Sequence, residues 1–146
     1  MAIFRKKNIA LLIVLLLAAG AFTGYHFYNK GPVNIQKANA QQVAATTLYN
    51  DFIADTAVAQ KKYSGKILLV SGNVADVSLN QQGQSIILLK TSNGGGFINC
   101  TLQKKTTGIH KEQSIKIKGI CSGLGEADVE LGLQPDLYLE RCIIQP

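Results

Sequence analysis

Along most of the chain the apolar positions fall into short runs separated by turn residues, and two stretches depart from that rhythm. The first is Ile9–Tyr28, where 16 of 20 residues are hydrophobic and none is Asp, Glu, Lys or Arg. A helix of that length spans about 30 Å, the hydrocarbon thickness of a bilayer. The second is AQQVAATTLYNDFIAD, in which Val43, Thr47, Leu48, Phe52 and Ile53 keep near-helical spacing and Asn39 stands where an N-cap belongs. TAVAQKKY restarts the helical pattern at Asp55 or Thr56, and Ser64-Gly65 stops it. The folded part therefore opens with one bent helix or two short ones.

After Gly65 the pattern becomes that of strands. Lys66–Val77 is rich in β-branched and aliphatic residues, with Gly72 in its middle, where a missing side chain suits a bulge or a sharp coil. Asn80–Gly83 turns the chain into Ser85–Thr91, and a Gly-rich turn at Ser92–Gly96 leads into Phe97–Leu102. There Ile98, Cys100 and Leu102 share one face. Lys104–Gln113 is polar and reads as a loop or a short helical turn. Ser114–Cys121 alternates most cleanly, with Ile115 and Ile117 directed inward, Lys116 and Lys118 outward, and Gly119 ending the pattern. Leu137–Ile144 supplies a fifth strand. Five short strands of this kind favour a small closed barrel, because closure removes exposed edges.

Composition and charge change meaning once they are located. The 146 residues carry 15 Lys plus Arg against 9 Asp plus Glu, a net charge of +6 that suggests a nucleic-acid partner. Arg5, Lys6, Lys7 and Lys30, however, flank the apolar run, and without them the remainder is close to neutral at +2. Its hydrophobic share falls from 47% to about 41%, that of an ordinary soluble domain. The basic cluster before the run places the N-terminus in the cytoplasm, and Tyr25, Phe27 and Tyr28 suit the far interface.

The resulting organisation is a basic cytoplasmic N-terminus (1–8), a transmembrane helix or signal sequence (9–28), a linker (29–38) and the folded domain (39–146). The expected location is the bacterial inner membrane, single-pass, with the C-terminal domain periplasmic or otherwise extracytoplasmic. The alternative is secretion after cleavage, since Ala19-Gly20-Ala21 has the small-x-small form of a signal-peptidase site.

Catalytic chemistry is sparse. His110 lies in a polar stretch with no nucleophile motif beside it. Asp128, Glu130 and Asp136 match no calcium loop, and Gly94-Gly95-Gly96 lacks the Lys and Ser/Thr of a phosphate loop. Cys100, Cys121 and Cys142 include no C-x-x-C pair, so a zinc site with His110 is set aside. The reading is a non-enzyme without cofactor or metal. Three cysteines in an oxidising compartment allow at most one internal disulfide.

Lys62-Tyr63-Ser64-Gly65-Lys66, Val70-Ser71-Gly72-Asn73-Val74, Ile115-Lys116-Ile117-Lys118-Gly119 and Asp136-Leu137-Tyr138-Leu139-Glu140-Arg141-Cys142 come in the order found in the tRNA_anti-like family of bacterial envelope OB-fold proteins. The stretch Leu48–Cys142 resembles that family. The resemblance implies a mainly β fold: a five-stranded OB barrel preceded by one or two helices and a single transmembrane or signal helix. It also implies that the fifth strand lies beside the third and the fourth, so Cys142 is the cysteine best placed to bridge to Cys100 or Cys121.

The leading functional expectation is a membrane-anchored binding or scaffold module that engages an envelope protein or a glycan through the barrel face or the loops near Ser78–Gly83 and Gly123–Pro135. The rival is single-stranded nucleic-acid binding, for which OB folds combine cations with stacking rings. The candidate contact residues are Lys104, Lys105, Lys116, Lys118, Phe97 and Tyr138, with Lys111 and Tyr63 nearby in the pattern.

Overall fold

The computed structural model describes residues 14–25, 34–92, 95–127, 130 and 132–146. Two compact units result, Met1–Val33 and Asn34–Pro146. In the first, residues 14–25 are helical. The predicted span 9–28 extends outside the described residues at both ends, and among the described residues no helix is long and apolar enough to cross a membrane.

In the second unit the elements are β1 (Gln41–Ala44), α1 (Ala45–Ala54), α2 (Thr56–Tyr63), β2 (Ile67–Leu79), β3 (Ser85–Leu89), β4 (Ile98–Leu102), β5 (Ser114–Leu124) and β6 (Leu137–Gln145). The sheet order is β1-β2-β3-β4-β6-β5, and β5 returns to β2. Five strands, β2 to β6, thus close on themselves. The β4–β6 contact is parallel and the other four barrel contacts are antiparallel. This is the expected OB-type barrel.

Closure rests on β2. Its first half, Ile67–Asn73, pairs with β5, and its second half, Val74–Leu79, pairs with β3. The register slips between Val74 and Asp76. The extra residue bends the strand where it changes partners. The sequence reading put that irregularity at Gly72, and the structure gives Gly72 a different task. A Cβ there would lie 2.9 Å from the Cβ of Ala45, so the missing side chain lets α1 approach the strand.

The first predicted helix is shorter than expected, because Gln41–Ala44 is extended and pairs in parallel with Leu68–Ser71. That pairing satisfies the edge of β2 left free where β3 has not yet joined. Asn39 therefore caps nothing; Ala44 occupies the N-cap position and offers no side-chain bond. Asp55 divides the two helices: its backbone is extended and its carboxylate accepts from the Val58 N–H at 3.0 Å. Gly65, at φ +74°, ends α2 as the sequence indicated.

The core is made by alternate residues of the barrel strands, among them Leu68, Val70, Ile87, Leu89, Ile98, Ile117, Leu137 and Leu139. Leu48, Tyr49, Phe52, Ala59 and Tyr63 from the helices complete it. Phe52 and Tyr63 meet with ring centroids 6.0 Å apart. The Tyr63 hydroxyl donates to Asp51 at 2.7 Å, and Lys62 pairs with the same oxygen at 3.0 Å. These bonds, the tyrosine's first, hold the Asp51 carboxyl below its usual range. Ile109 packs on the core from the Gln103–Gln113 connection, which contains no helix.

Two expectations for β5 need correction. Gly119 does not end the strand, which continues to Leu124. A Cβ at Gly119 would stand 2.5 Å from the Cys142 sulfur, so this glycine vacates the space that Cys142 fills. Lys118 is buried, because the chain at Gln36 crosses over it and its Nζ donates to the Gln36 carbonyl at 3.2 Å.

All three cysteines are buried free thiols. Cys100 and Cys142, from neighbouring strands, interact with each other, and burial, reinforced by Cys142, pushes the Cys100 thiol well up. Burial pushes the Cys121 thiol up to about 11.

Three expectations follow. Gly119→Ala is expected to destabilise the barrel by about 1–3 kcal/mol, the usual cost of overpacking, read as a lower denaturant midpoint. A midpoint equal to wild type would contradict the packing described. For Asp51, a carboxyl depressed in the folded state stabilises above its unfolded pKa, and that stability is lost as pH falls through the lower, folded value. Asp51→Asn should therefore lower Tm at neutral pH and lose its difference from wild type in acid; a difference independent of pH would refute the linkage. All three sulfurs are buried out of reach of a solvent-borne reagent, so iodoacetamide at pH 8 should label no cysteine in the native protein and three after denaturation. Rapid native labelling would show that the core is open.

Candidate functional site

The outer face of β2, β3, β4 and β6 carries the residues that alternate with the core. In one row Asp76 registers with Leu88, Leu88 with Asn99, and Asn99 with Tyr138. In the next row Ser78 registers with Ile86 and Ile86 with Thr101. Strands lie about 4.8 Å apart, so the first row extends roughly 14 Å across the barrel. Its middle is half-buried aliphatic and its β4 positions are an amide and a hydroxyl. Asp76 closes one end, paired with Lys111 at 3.0 Å, which holds its carboxyl below the usual range.

The other end is aromatic. Tyr138 is 41% exposed and Phe97, just ahead of β4, is 36% exposed. The Tyr138 ring and the Phe97 main chain are both held in place. A Cβ on Gly125 would stand 2.6 Å from the Tyr138 ring, so that ring lies against the glycine. The Phe97 N–H donates to Asp136 Oδ1 at 2.8 Å, and its carbonyl accepts from the Leu137 N–H at 2.9 Å.

The loops beneath are packed as closely. A Cβ at Gly96 would fall 2.3 Å from the Tyr49 hydroxyl and 2.4 Å from the Pro135 carbonyl oxygen. The Tyr49 hydroxyl donates to that same carbonyl at 3.0 Å. Burial, and then Asp136, raise the Tyr49 phenol above its ordinary value. Close approach is thus what Gly96 provides; Gly94 lies outside the described residues.

Carboxylates lie near the rings. Asp136 is bonded to the Phe97 backbone, Glu140 follows Tyr138 on the same side of β6, and exposed Glu126 adjoins Gly125. Asp128 lies outside the described residues, and among those described no cluster of His, Cys, Asp and Glu is arranged to hold a metal. His110 is exposed and its backbone N–H donates to the Gln113 side chain, whereas the three cysteines are buried.

Of the six contact residues read from sequence, Phe97 and Tyr138 come together. Lys104 and Lys105 are exposed past the opposite end of β4, beyond Leu102. Lys116 registers with Gln145 whereas Tyr138 registers with Gly123, which puts them seven positions, about 23 Å, apart along β6. Lys118 is buried against Gln36, Lys111 is paired, and Tyr63 is core. The outward partners Ile86, Leu88, Asn99 and Thr101 escaped the sequence reading, although the alternation that marked Ile98, Cys100 and Leu102 as inward also marks them as outward.

No curated protein matches this chain. A solved structure with a similar course is one assigned to an aspartyl-tRNA synthetase from Leishmania major Friedlin. The two share 8% identity with a TM-score of 0.44, over 80% of this chain and 22% of that one. The chain therefore spans less than a quarter of that protein. The family model for tRNA_anti-like matches residues 1–131, which include α1, α2 and all barrel strands except β6. With that match over most of its length, the chain belongs to the tRNA_anti-like family.

Proposed function

We propose that the Asn34–Pro146 domain is a non-catalytic binding module and that the outer face of β3, β4 and β6 takes a neutral, hydroxyl-rich chain of the oligosaccharide class. The observation that carries this reading is the company kept by the two exposed rings. Phe97 and Tyr138 adjoin Asn99, Asp136 and Glu140, and the lysine at the far end of their row, Lys111, is taken up by Asp76. Amides, carboxylates and ring faces suit sugar hydroxyls and C–H surfaces. OB folds use this side of the barrel for oligosaccharides and oligonucleotides alike. A polyanion laid across the rings would meet the carboxylates first. The address completes the proposal: Arg5, Lys6 and Lys7 before an apolar run of 20 residues support a single-pass anchor with the barrel outside the cytoplasm.

A second reading, single-stranded nucleic acid, is favoured by exposed Lys104 and Lys105 at the end of β4 and by a family named for its likeness to anticodon-binding domains. The two readings separate by salt. Calorimetric titration of the full chain in detergent with chito-oligosaccharides and soluble glycan strands is expected to show saturable binding that added salt leaves unchanged. Tyr138→Ala should weaken it roughly tenfold, the loss of one stacked ring. Oligothymidylate binding that falls steeply with salt and is abolished by Lys104→Gln with Lys105→Gln would overturn the glycan reading in favour of nucleic acid. Absence of saturable binding by any saccharide would also overturn it.

A further inference from the structure

Past Phe97 the outward side of β4 continues as a polar lane toward the other end of the barrel. Asn99 and Thr101 alternate with buried Ile98, Cys100 and Leu102. Gln103 extends the ladder, its N–H donating to the Cys142 carbonyl at 3.0 Å. Among the described residues the side chains of Asn99, Thr101 and Gln103 have no hydrogen-bond partner. Six residues from Phe97 to Gln103 span about 20 Å, and the lane then reaches Lys104 and Lys105. These two lysines ride on a turn fixed at both sides. Gln103 holds it to β6, and Thr106 holds it to Ser85, the buried first residue of β3. The Ser85 hydroxyl accepts from the Thr106 N–H at 2.9 Å and donates to the Thr106 carbonyl at 3.3 Å.

Acids and unpaired lysines occupy opposite ends of this lane. Asp136 and Glu126 stand by the rings. The sequence has no Asp or Glu in residues 77–111, which hold the end of β2, β3, β4 and the connection after it. Within that stretch Lys90 is paired with Glu112 and Lys111 with Asp76. Lys104 and Lys105 are exposed and enter no salt bridge among the described residues. On the neighbouring strand Glu140 stands level with Thr101, between the Cys100–Leu139 and Leu102–Cys142 partners, and so ahead of the lysines.

We infer that the saccharide taken by this face carries an anionic group, carboxylate or phosphate, at the end remote from the rings, and that Lys104 and Lys105 receive it. The inference deepens the oligosaccharide reading and rests on it. A chain neutral over the rings and charged only at its far end meets lysines there by charge-assisted hydrogen bonds, whereas a chain charged throughout meets the carboxylates at the start of the lane. The bound chain therefore has a direction along β4, and its length matters. Because the lysines are exposed, their contribution is modest and screened by salt.

The probes are chito-oligosaccharides of increasing length, each prepared with its reducing end reduced to a neutral alditol, oxidised to a carboxylate, or bearing a phosphate. In calorimetric titrations of the full chain in detergent at low salt, chains too short to reach from the rings to Gln103 should bind alike in all three forms. In longer chains an acidic end should tighten binding roughly three- to tenfold over the neutral end, and added salt should remove the gain. A gain from one acid and not the other assigns the anion. In Lys104→Gln with Lys105→Gln the three forms should bind alike at every length, whereas Lys61→Gln with Lys66→Gln, which removes two charges from in and after α2, should keep the gain. All four side chains are exposed, so both variants should keep the wild-type melting curve. Equal binding of neutral and acidic chains at every length, a gain already present in the shortest chain, or a gain lost in both variants overturns the anionic subsite and leaves the oligosaccharide reading standing. Absence of saturable binding by every saccharide overturns that reading and this inference with it.

Discussion

One strand of thirteen residues, β2, has to serve three neighbours, and the barrel exists because it does. A straight strand pairs with one partner along each edge. By taking an extra residue after Val74, β2 turns from β5 to β3, and the sheet curls until it meets itself. The bend leaves a length of edge between Leu68 and Ser71 that β3 does not cover. β1 covers it in parallel, at the expense of the first turn of the helix that the sequence pattern promised. The shape of the domain's N-terminal part is thus a response to the curvature of its second strand.

The same curvature sets the demand for glycine. Where elements press into a strongly coiled sheet, backbone has to meet backbone or sulfur without an intervening Cβ. Gly72 admits α1, Gly119 admits Cys142, and Gly96 admits Tyr49 and the chain at Pro135. None of these three has positive φ. They are glycines of packing, unlike Gly65 and Gly83, whose left-handed backbone makes turns in open space.

That distinction marks what could be read from the chain. Strand positions and their inward residues were legible because alternation is a local signal: Ile115, Ile117, Ile98, Cys100 and Leu102 all point to the core. The helix break at Asp55 and the stop at Gly65 were legible for the same reason. Cross-strand register was not, since it depends on bulges at Val74–Asp76 and in β6 that no local pattern reveals. The candidate site suffered most from this. Lys116 and Lys118 resemble Lys104 and Lys105 in sequence, and only the fold separates them into a covered residue, an exposed one two positions along the same strand, and a pair at the far end of β4. Asn39 and Gln41–Ala44 failed as a helix start because the free edge of β2 outweighed a weak local preference.

The parallel contact between β4 and β6 has a consequence for how the domain is made. β6 lies between β4 and β5 yet follows both in the chain, so until Leu137–Gln145 arrives two strand edges stand open at once. Non-local closure of this kind slows folding. The Tyr49 hydroxyl, from the first helix, is bonded to Pro135, at the threshold of that final strand. The domain's earliest and latest segments are therefore committed together, and a growing chain holds its open edges until the last few residues of the barrel have been delivered.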